Sequence, residues 1–282
     1  MTISGKAKVA GVIGWPVGHS LSPRLHDYWL RRYGIDGAFI PMPVSPNDLA
    51  DVLRVLPKIG ICGVNVTVPH KEAALALMDD LDPQARAIGA VNTVIVRADG
   101  SLEGRNTDAF GFLENLLHGA PNWHAVRKPA TVVGAGGAAR AVCVALLEAG
   151  VPQVYVVNRT FERAEEMGRE LGERVIAVPW KSHAQAIERS ALLVNATTLG
   201  MKGQPEIDLD LSRLPRETVV TDVVYTPLET PLLKFARARG NTTVDGLGML
   251  IHQARPGFES WFGVAPEVTE ELRAFLVEGL LA

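Results

Sequence analysis

The chain has 282 residues, 47% hydrophobic and 21% charged, with a formal net charge of −3. That length favours two domains, each able to close a core without staples. The mild acidity and the lack of any Lys/Arg block exclude a basic nucleic-acid footprint, and no apolar run approaches the ~20 residues that span a bilayer. The first residues lack a charged segment followed by a long apolar one, so no secretory signal is read and the cytoplasm is expected. Cys62 and Cys143 form no C-x-x-C pair and are expected to be reduced core thiols.

Strand and helix alternate through the first third. Val9–Trp15 reads as a strand, and Ser22–Tyr33 as a helix with Ser22 as its N-cap and Pro23 in its first turn. Ala38–Val44, Asn47–Leu56, Gly63–Val68 and Lys71–Met78 continue the series as strand, helix, strand, helix. This βαβαβα order predicts a mostly parallel sheet covered by helices. Val91–Arg97 and Leu102–Arg105 flank Asp99-Gly100, a pair suited to a tight hairpin turn. Asp108–Leu117 reads as a helix. The aperiodic, proline-bearing stretch 119–129 then marks a domain boundary.

A second βαβ series begins with the strand Ala130–Val133. The helix Gly137–Glu148, the strand Val154–Val157, the helix Phe161–Leu171 and the strand Val175–Val178 follow. Leu192–Asn195, Thr218–Val224 and Thr242–Val244 are further short apolar runs. Helices are expected at Gly248–Trp261 and Pro266–Leu280, with a destination that periodicity does not reveal. The fold class is therefore α/β in two domains.

Gly134, Ala135, Gly136, Gly137 and Ala138 follow a predicted strand and open a predicted helix. Glycines there let the backbone turn sharply and approach a pyrophosphate, while the helix N-terminus offers free N–H groups. An ordinary turn would also use glycines; the strand before and the helix after favour a dinucleotide loop. The next strand ends in Asn158-Arg159-Thr160. An NAD site usually carries a carboxylate there to hold the ribose 2′-hydroxyl. Here Arg159 and Thr160 can instead meet a 2′-phosphate, with Arg163 as a second cation one turn later. NADP is favoured over NAD.

Polar residues also cluster at strand ends of the first domain: Gly18–Pro23, Asn65–Lys71, Ala90–Thr93 and Asn106–Asp108. Singly, each has an ordinary explanation. Asp108 suits a helix dipole, Lys71 could be a solvated lysine, and Asn65 and Asn92 could bridge loops. Together with the loop at Gly134–Ala138 and with Asn158–Thr160, Asn195–Met201 and Asp245–Gln253, they form eight motifs. These resemble, in order and from about Val9 to Trp261, the shikimate dehydrogenase family.

The resemblance implies an N-terminal substrate-binding and catalytic domain, residues 1–110 plus 250–282, and a Rossmann NADP-binding domain, residues 111–249. It implies Lys71 and Asp108 as the catalytic pair and Ser20, Ser22, Asn65, Thr67, Asn92, Asp108, Tyr225 and Gln253 as substrate contacts. It implies cofactor contacts at Gly134–Ala138, Asn158–Arg163, Val223, Gly246 and Met249. The expected reaction is reversible NADPH-dependent reduction of 3-dehydroshikimate to shikimate, in the biosynthesis of chorismate and the aromatic amino acids. The chain departs from some relatives at His252 and Thr226, neither of them in the catalytic pair.

A small-molecule substrate is the expected partner, with no nucleic acid and no membrane; a homodimer is left open. No metal site is expected, since the histidines show no ligand spacing. Three other readings stay open. An NAD-using quinate/shikimate dehydrogenase is disfavoured by the lack of a carboxylate at residues 158–160. A silent NADP-binding regulatory module would have no need of Lys71 and Asp108. A dehydrogenase of similar architecture acting on a folate or an amino acid fits the two serines less well.

Overall fold

The computed structural model describes residues 3–125 and 128–281. Its contacts divide the chain into two compact units, Met1–Thr107 with Gln253–Ala282, and Asp108–His252. The boundary expected at residues 119–129 is therefore displaced to Thr107/Asp108. The helix Asp108–Gly119 that precedes that stretch packs on the helix Gly137–Glu148, which draws it into the second unit.

In the first unit, β1 (Lys8–Gly14), α1 (Ser22–Arg32), β2 (Gly37–Pro43), α2 (Leu49–Val55), β3 (Ile61–Val66) and α3 (Lys71–Leu75) form the expected alternation. β1 pairs in parallel with both β2 and β3. Helix α3 stops at Leu75 rather than at Met78. Two elements escaped the sequence reading: β4 (Asp80–Leu81) and α4 (Pro83–Ile88). Helix α4 carries clear local signals. The Asp82 carboxylate accepts from the Ala85 amide at 2.6 Å, Pro83 stands in the first turn, and Gly89 ends the helix in the left-handed region. β5 (Thr93–Val96) and β6 (Leu102–Arg105) form the hairpin, and the sheet order is β2-β1-β3-β5-β6-β4. Ile13, Val64, Val66, Val91 and Val94 lie in its core. Cys62 is only partly buried, unlike the core thiol expected. Ser22 is the first helical residue of α1 and Leu21 takes the cap position, so Ser22 does not cap.

The second unit runs α5 (Asp108–Gly119), β7 (Ala130–Val133), α6 (Gly137–Glu148), β8 (Val154–Val157), α7 (Phe161–Leu171), β9 (Val175–Val178), α8 (His183–Arg189), β10 (Leu192–Asn195), β11 (Val219–Asp222), α9 (Pro231–Ala238) and β12 (Thr243–Val244). All its paired strands are parallel, in the order β12-β11-β10-β7-β8-β9. This is the doubly wound arrangement, whose order reverses between β7 and β10. Helices α8 and α9 were not expected from periodicity. Thr230 caps α9, its hydroxyl oxygen accepting from the Leu233 amide, and Pro231 opens the helix.

The chain re-enters the first unit within α10 (Leu247–Phe262) and ends with α11 (Glu270–Leu281). Gly63 makes this return possible. It sits at φ +155°, and a methyl group there would collide with the Trp261 indole and the Val94 carbonyl. Without one, Trp261 lies over the sheet and its Nε1–H donates to Val94 O at 3.2 Å. Trp29 Nε1–H donates to Glu267 O at 3.1 Å, fixing the approach to α11. Among the described residues, no helix is long and apolar enough to cross a membrane, and no three His, Cys, Asp or Glu side chains gather as metal ligands do.

His26 lies fully buried in the aromatic cluster that seals α1 against α10. Its ring stacks on Phe39 at 3.8 Å between centroids and meets Trp29 edge-on. Neither ring nitrogen has a hydrogen-bond partner among the described residues. Burial pushes its pKa down from 6.5 to about 3. Unfolding therefore takes up a proton between those pH values, and stability falls as the pH drops from about 6.5 toward 3. Between pH 7 and 5 this one group should remove about 2 kcal/mol. His26→Leu should lessen the acid sensitivity by that amount in urea titrations at the two pH values; an unchanged pH dependence would refute it.

Candidate functional site

The polar residues of the first unit gather where parallel strands end. β1 and β3 are neighbours, so their following loops emerge side by side. The Thr67 amide donates to Ile13 O at 2.9 Å, and the Trp15 amide to Val68 O at 3.0 Å. Gly14 lets these loops approach, because a methyl group there would stand 2.6 Å from Thr67 Cγ2. After β1 the chain turns into α1, and the Ser22 amide donates to the Ser20 hydroxyl at 3.2 Å. Ser22 is buried and Ser20 half-buried.

After β3, His70 Nε2 donates to Val44 O at 2.8 Å and ties this loop to the end of β2. Lys71 follows as the first residue of α3, half-buried, and its carbonyl accepts from the Val91 amide at 2.8 Å. A cation at a helix N-terminus gains nothing from the helix dipole, so helix stability does not explain it. Val91 in turn leads to Asn92, which places Lys71 and Asn92 on adjacent segments.

Asn92 is the centre of a buried network. Its Nδ2 donates to Thr107 Oγ1 at 2.9 Å and to Gln253 Oε1 at 3.3 Å. Its Oδ1 accepts from Thr93 Oγ1 and from the Thr107 amide, both at 2.9 Å. Asn65 Nδ2 donates to Asn92 O and to Thr93 Oγ1, each at 3.2 Å, while its Oδ1 is buried and has no hydrogen-bond partner among the described residues. The sequence singled out Asn65, Thr67, Lys71, Asn92 and Gln253 here. It assigned no role to Thr93 or Thr107, though both stood inside its Asn-Thr motifs.

The second unit assembles a separate set. Asp108 opens α5 and is buried, directly after Thr107. Gly134, after β7, sits at φ +118°, where a methyl group would come within 3.0 Å of Ala196 O and Thr197 Cγ2. The loop after β7 thus lies against the loop after β10, at the point where strand order reverses. Gly136 takes the N-cap position of α6 with open space beside its Cα, and Gly137 and Ala138 begin the helix. A glycine at a helix N-terminus with no atom within 4 Å of its Cβ position is the kind of place where backbone N–H groups can meet an anion. The buried Ala135 holds the loop to the core.

At the end of β8, Asn158 Nδ2 donates to Thr160 O at 2.8 Å and closes the turn. Arg159, Thr160 and Arg163 are exposed, and Thr160 precedes the first residue of α7. Gly246 packs so closely on Val223 and Val224 that a methyl group would collide with their main chains. This brings Val223 beside Gly246, with Met249 buried one turn further on.

Asp222, at the end of β11, holds the segment bearing Val223 and Tyr225. It accepts from Asn195 Nδ2 at 3.0 Å, from the Val224 amide at 2.9 Å and from the Thr230 hydroxyl at 2.7 Å. Burial raises its pKa to about 6 against the pull of these donors. The sequence reading missed Asp222; its signal was a lone carboxylate closing an apolar strand. Asn195 also accepts from the Thr197 hydroxyl at 2.7 Å, which explains the Asn195–Met201 motif as a braced loop.

Comparison with known proteins finds relatives over nearly the whole chain. Residues 12–94 match the shikimate dehydrogenase substrate binding domain, residues 121–201 the shikimate/quinate 5-dehydrogenase domain, and residues 246–270 the shikimate 5′-dehydrogenase C-terminal domain. A shikimate dehydrogenase (NADP(+)) of Paramagnetospirillum magneticum is 59% identical over 98% of this chain and 100% of its own. The structure of shikimate 5-dehydrogenase from Thermus thermophilus in complex with NADP(H) and shikimate superposes with a TM-score of 0.84 at 40% identity, over 97% of this chain and 98% of that one. Quinate dehydrogenase from Corynebacterium glutamicum in complex with NAD superposes with a TM-score of 0.88 at 34% identity, over 96% and 99%. With a glycine loop at the strand reversal of one unit, a polar strand-end cluster in the other, and full-length relatives at this identity, the chain belongs to the shikimate dehydrogenase family.

Proposed function

We propose that the protein is an NADP-dependent shikimate dehydrogenase, an oxidoreductase of aromatic amino-acid biosynthesis acting on a ring CH–OH group. The observation that carries this reading is the buried Asn92 amide network beside Thr67 and Lys71. It presents hydroxyl- and carbonyl-binding groups on one strand-end surface.

Ser20 and Ser22 offer two hydroxyls for the substrate carboxylate. Tyr225 stands near that carboxylate, Thr67, Asn92 and Gln253 hold the ring hydroxyls, and Asn65 keeps Asn92 and Thr93 in place. Lys71 faces the ring carbonyl oxygen as an ammonium and donates a proton as negative charge develops on that oxygen; in the reverse direction it accepts the proton from the alcohol. Asp108 orients the ammonium and accepts from the neighbouring ring hydroxyl. When bound, NADPH would supply the hydride for reduction, and NADP would accept it in the reverse direction. Gly134–Ala138 receive its pyrophosphate, Arg159, Thr160 and Arg163 its 2′-phosphate, and Val223, Gly246 and Met249 the nicotinamide end.

The absence of a carboxylate from residues 158–160 separates this reading from the NAD-using quinate branch. Purified protein given shikimate should reduce NADP quickly and NAD far more slowly, followed by absorbance of the reduced nicotinamide. Comparable rates would move the protein to the quinate/shikimate branch, and no reduction with either would defeat the reading. Arg159→Ala should raise the KM for NADPH about tenfold while leaving that for NADH near the wild-type value. Equal weakening toward both would rule out a 2′-phosphate contact. Lys71→Ala should lower kcat by about 10²–10⁴ with a much smaller change in shikimate KM. A variant that lost only affinity would reduce Lys71 to a binding role.

A further inference from the structure

Thr107 lies where several constraints meet. It is buried, at 6% exposure, and is the last residue of the first unit before the chain leaves it. Gln253 is the first residue after the chain returns. The Thr107 hydroxyl donates to Gln253 O at 2.8 Å, so one side chain joins the points of exit and return. The same oxygen accepts from Asn92 Nδ2 at 2.9 Å, and the Thr107 amide donates to Asn92 Oδ1 at 2.9 Å. Asn92 is thus gripped at both ends of its amide by one residue.

The lengths of these bonds give them different roles. Asn92 Nδ2 donates to Thr107 Oγ1 at 2.9 Å and to Gln253 Oε1 at 3.3 Å. Its Oδ1 accepts from Thr93 Oγ1 and the Thr107 amide, both at 2.9 Å, with Thr107 Oγ1 also within 3.2 Å. The contact to Gln253 Oε1, at 3.3 Å, is the longest of these. It is the one a ring hydroxyl can replace at least cost, freeing an amide hydrogen on Asn92 and an acceptor on Gln253 together. The bonds to Thr107 are short and include main-chain atoms, so they stay made and aim the amide.

We infer that Thr107 is a positioning residue for substrate recognition: its hydroxyl orients the Asn92 amide and the Gln253 main chain so that both can exchange their mutual contact for a hydroxyl of the substrate ring. This rests on the shikimate dehydrogenase reading above and names a residue which that reading leaves without a role.

Thr107→Val keeps the shape and removes the hydroxyl; Thr107→Ser keeps the hydroxyl and removes a methyl. Leaving buried partners of this kind unpaired costs about ten- to a hundredfold in affinity. Thr107→Val should therefore raise the shikimate KM about ten- to a hundredfold, with the NADP KM within about twofold of wild type. The Kd for shikimate, by calorimetry, should rise in parallel. Thr107→Ser should stay within about threefold of wild type in all three. Thermal unfolding of each variant shows that it is folded. Against an active wild type, an unchanged Thr107→Val, an equal rise in both KM values, or a Thr107→Ser as impaired as Thr107→Val overturns the inference alone. If Thr107→Val does not fold, Thr107→Ser and Thr107→Ala decide it by the same split between the two KM values. A wild type that neither turns over nor binds shikimate overturns the functional reading and this inference with it.

Discussion

Parallel pairing organises both units. A parallel pair cannot close through a tight turn, so each strand is followed by a crossover that returns the chain to the same starting edge. In the first unit β1, β2 and β3 run together, and the loops that follow β1 and β3 emerge side by side. In the second unit six strands do the same. One edge of each sheet thereby collects polar loops while the strands beneath carry Val, Ile and Leu. The antiparallel hairpin β5–β6 brings Asn92 to the carbonyl end of β3, because Thr93 pairs with Asn65.

Close backbone approach is the second requirement. Gly63 admits Trp261, Gly134 admits the Ala196 carbonyl, and Gly246 lies on Val223. Each lies where two segments meet with no room for a methyl group. The first returns the final helices to the sheet on which they pack. The other two build the loops assigned to the cofactor. Their spacing in the chain, from residue 63 to residue 246, shows that close approach is a tertiary demand met by locally unremarkable glycines.

Buried polar groups divide into two kinds. Asn92 and Asp222 are surrounded by donors and acceptors that match their own, and both brace loops bearing proposed site residues. Low dielectric strengthens such matched networks and makes an unmatched group costly. His26 is unmatched: its two nitrogens have no partners among the described residues, and it stays neutral instead. The contrast separates polar residues that organise loops from one that fills space between aromatic rings.

The alternation of short apolar strands with amphipathic helices was enough to fix the α/β class and every strand of the two sheets except β4. The glycines between β7 and α6 and the Asn158–Thr160 ending pointed to a dinucleotide loop and to NADP, because such demands are local to a turn. The motifs carrying Lys71, Asn92 and Asp108 were visible, whereas the work of Thr107, Thr93 and Asp222 was not. Their partners lie far off in the chain: Thr107 meets Gln253 and Asp222 meets Asn195. Short elements such as β4, α4 and α9 escaped periodicity, which needs more turns than they have, although Asp82 and Thr230 capped two of them. Periodicity revealed neither the boundary at Thr107/Asp108 nor the return of α10 and α11; the resemblance alone implied a first domain of residues 1–110 plus 250–282, and packing is what joins those segments. The sequence determines what each segment can bury and where it can turn; which segments meet is set by tertiary contacts that no local pattern encodes.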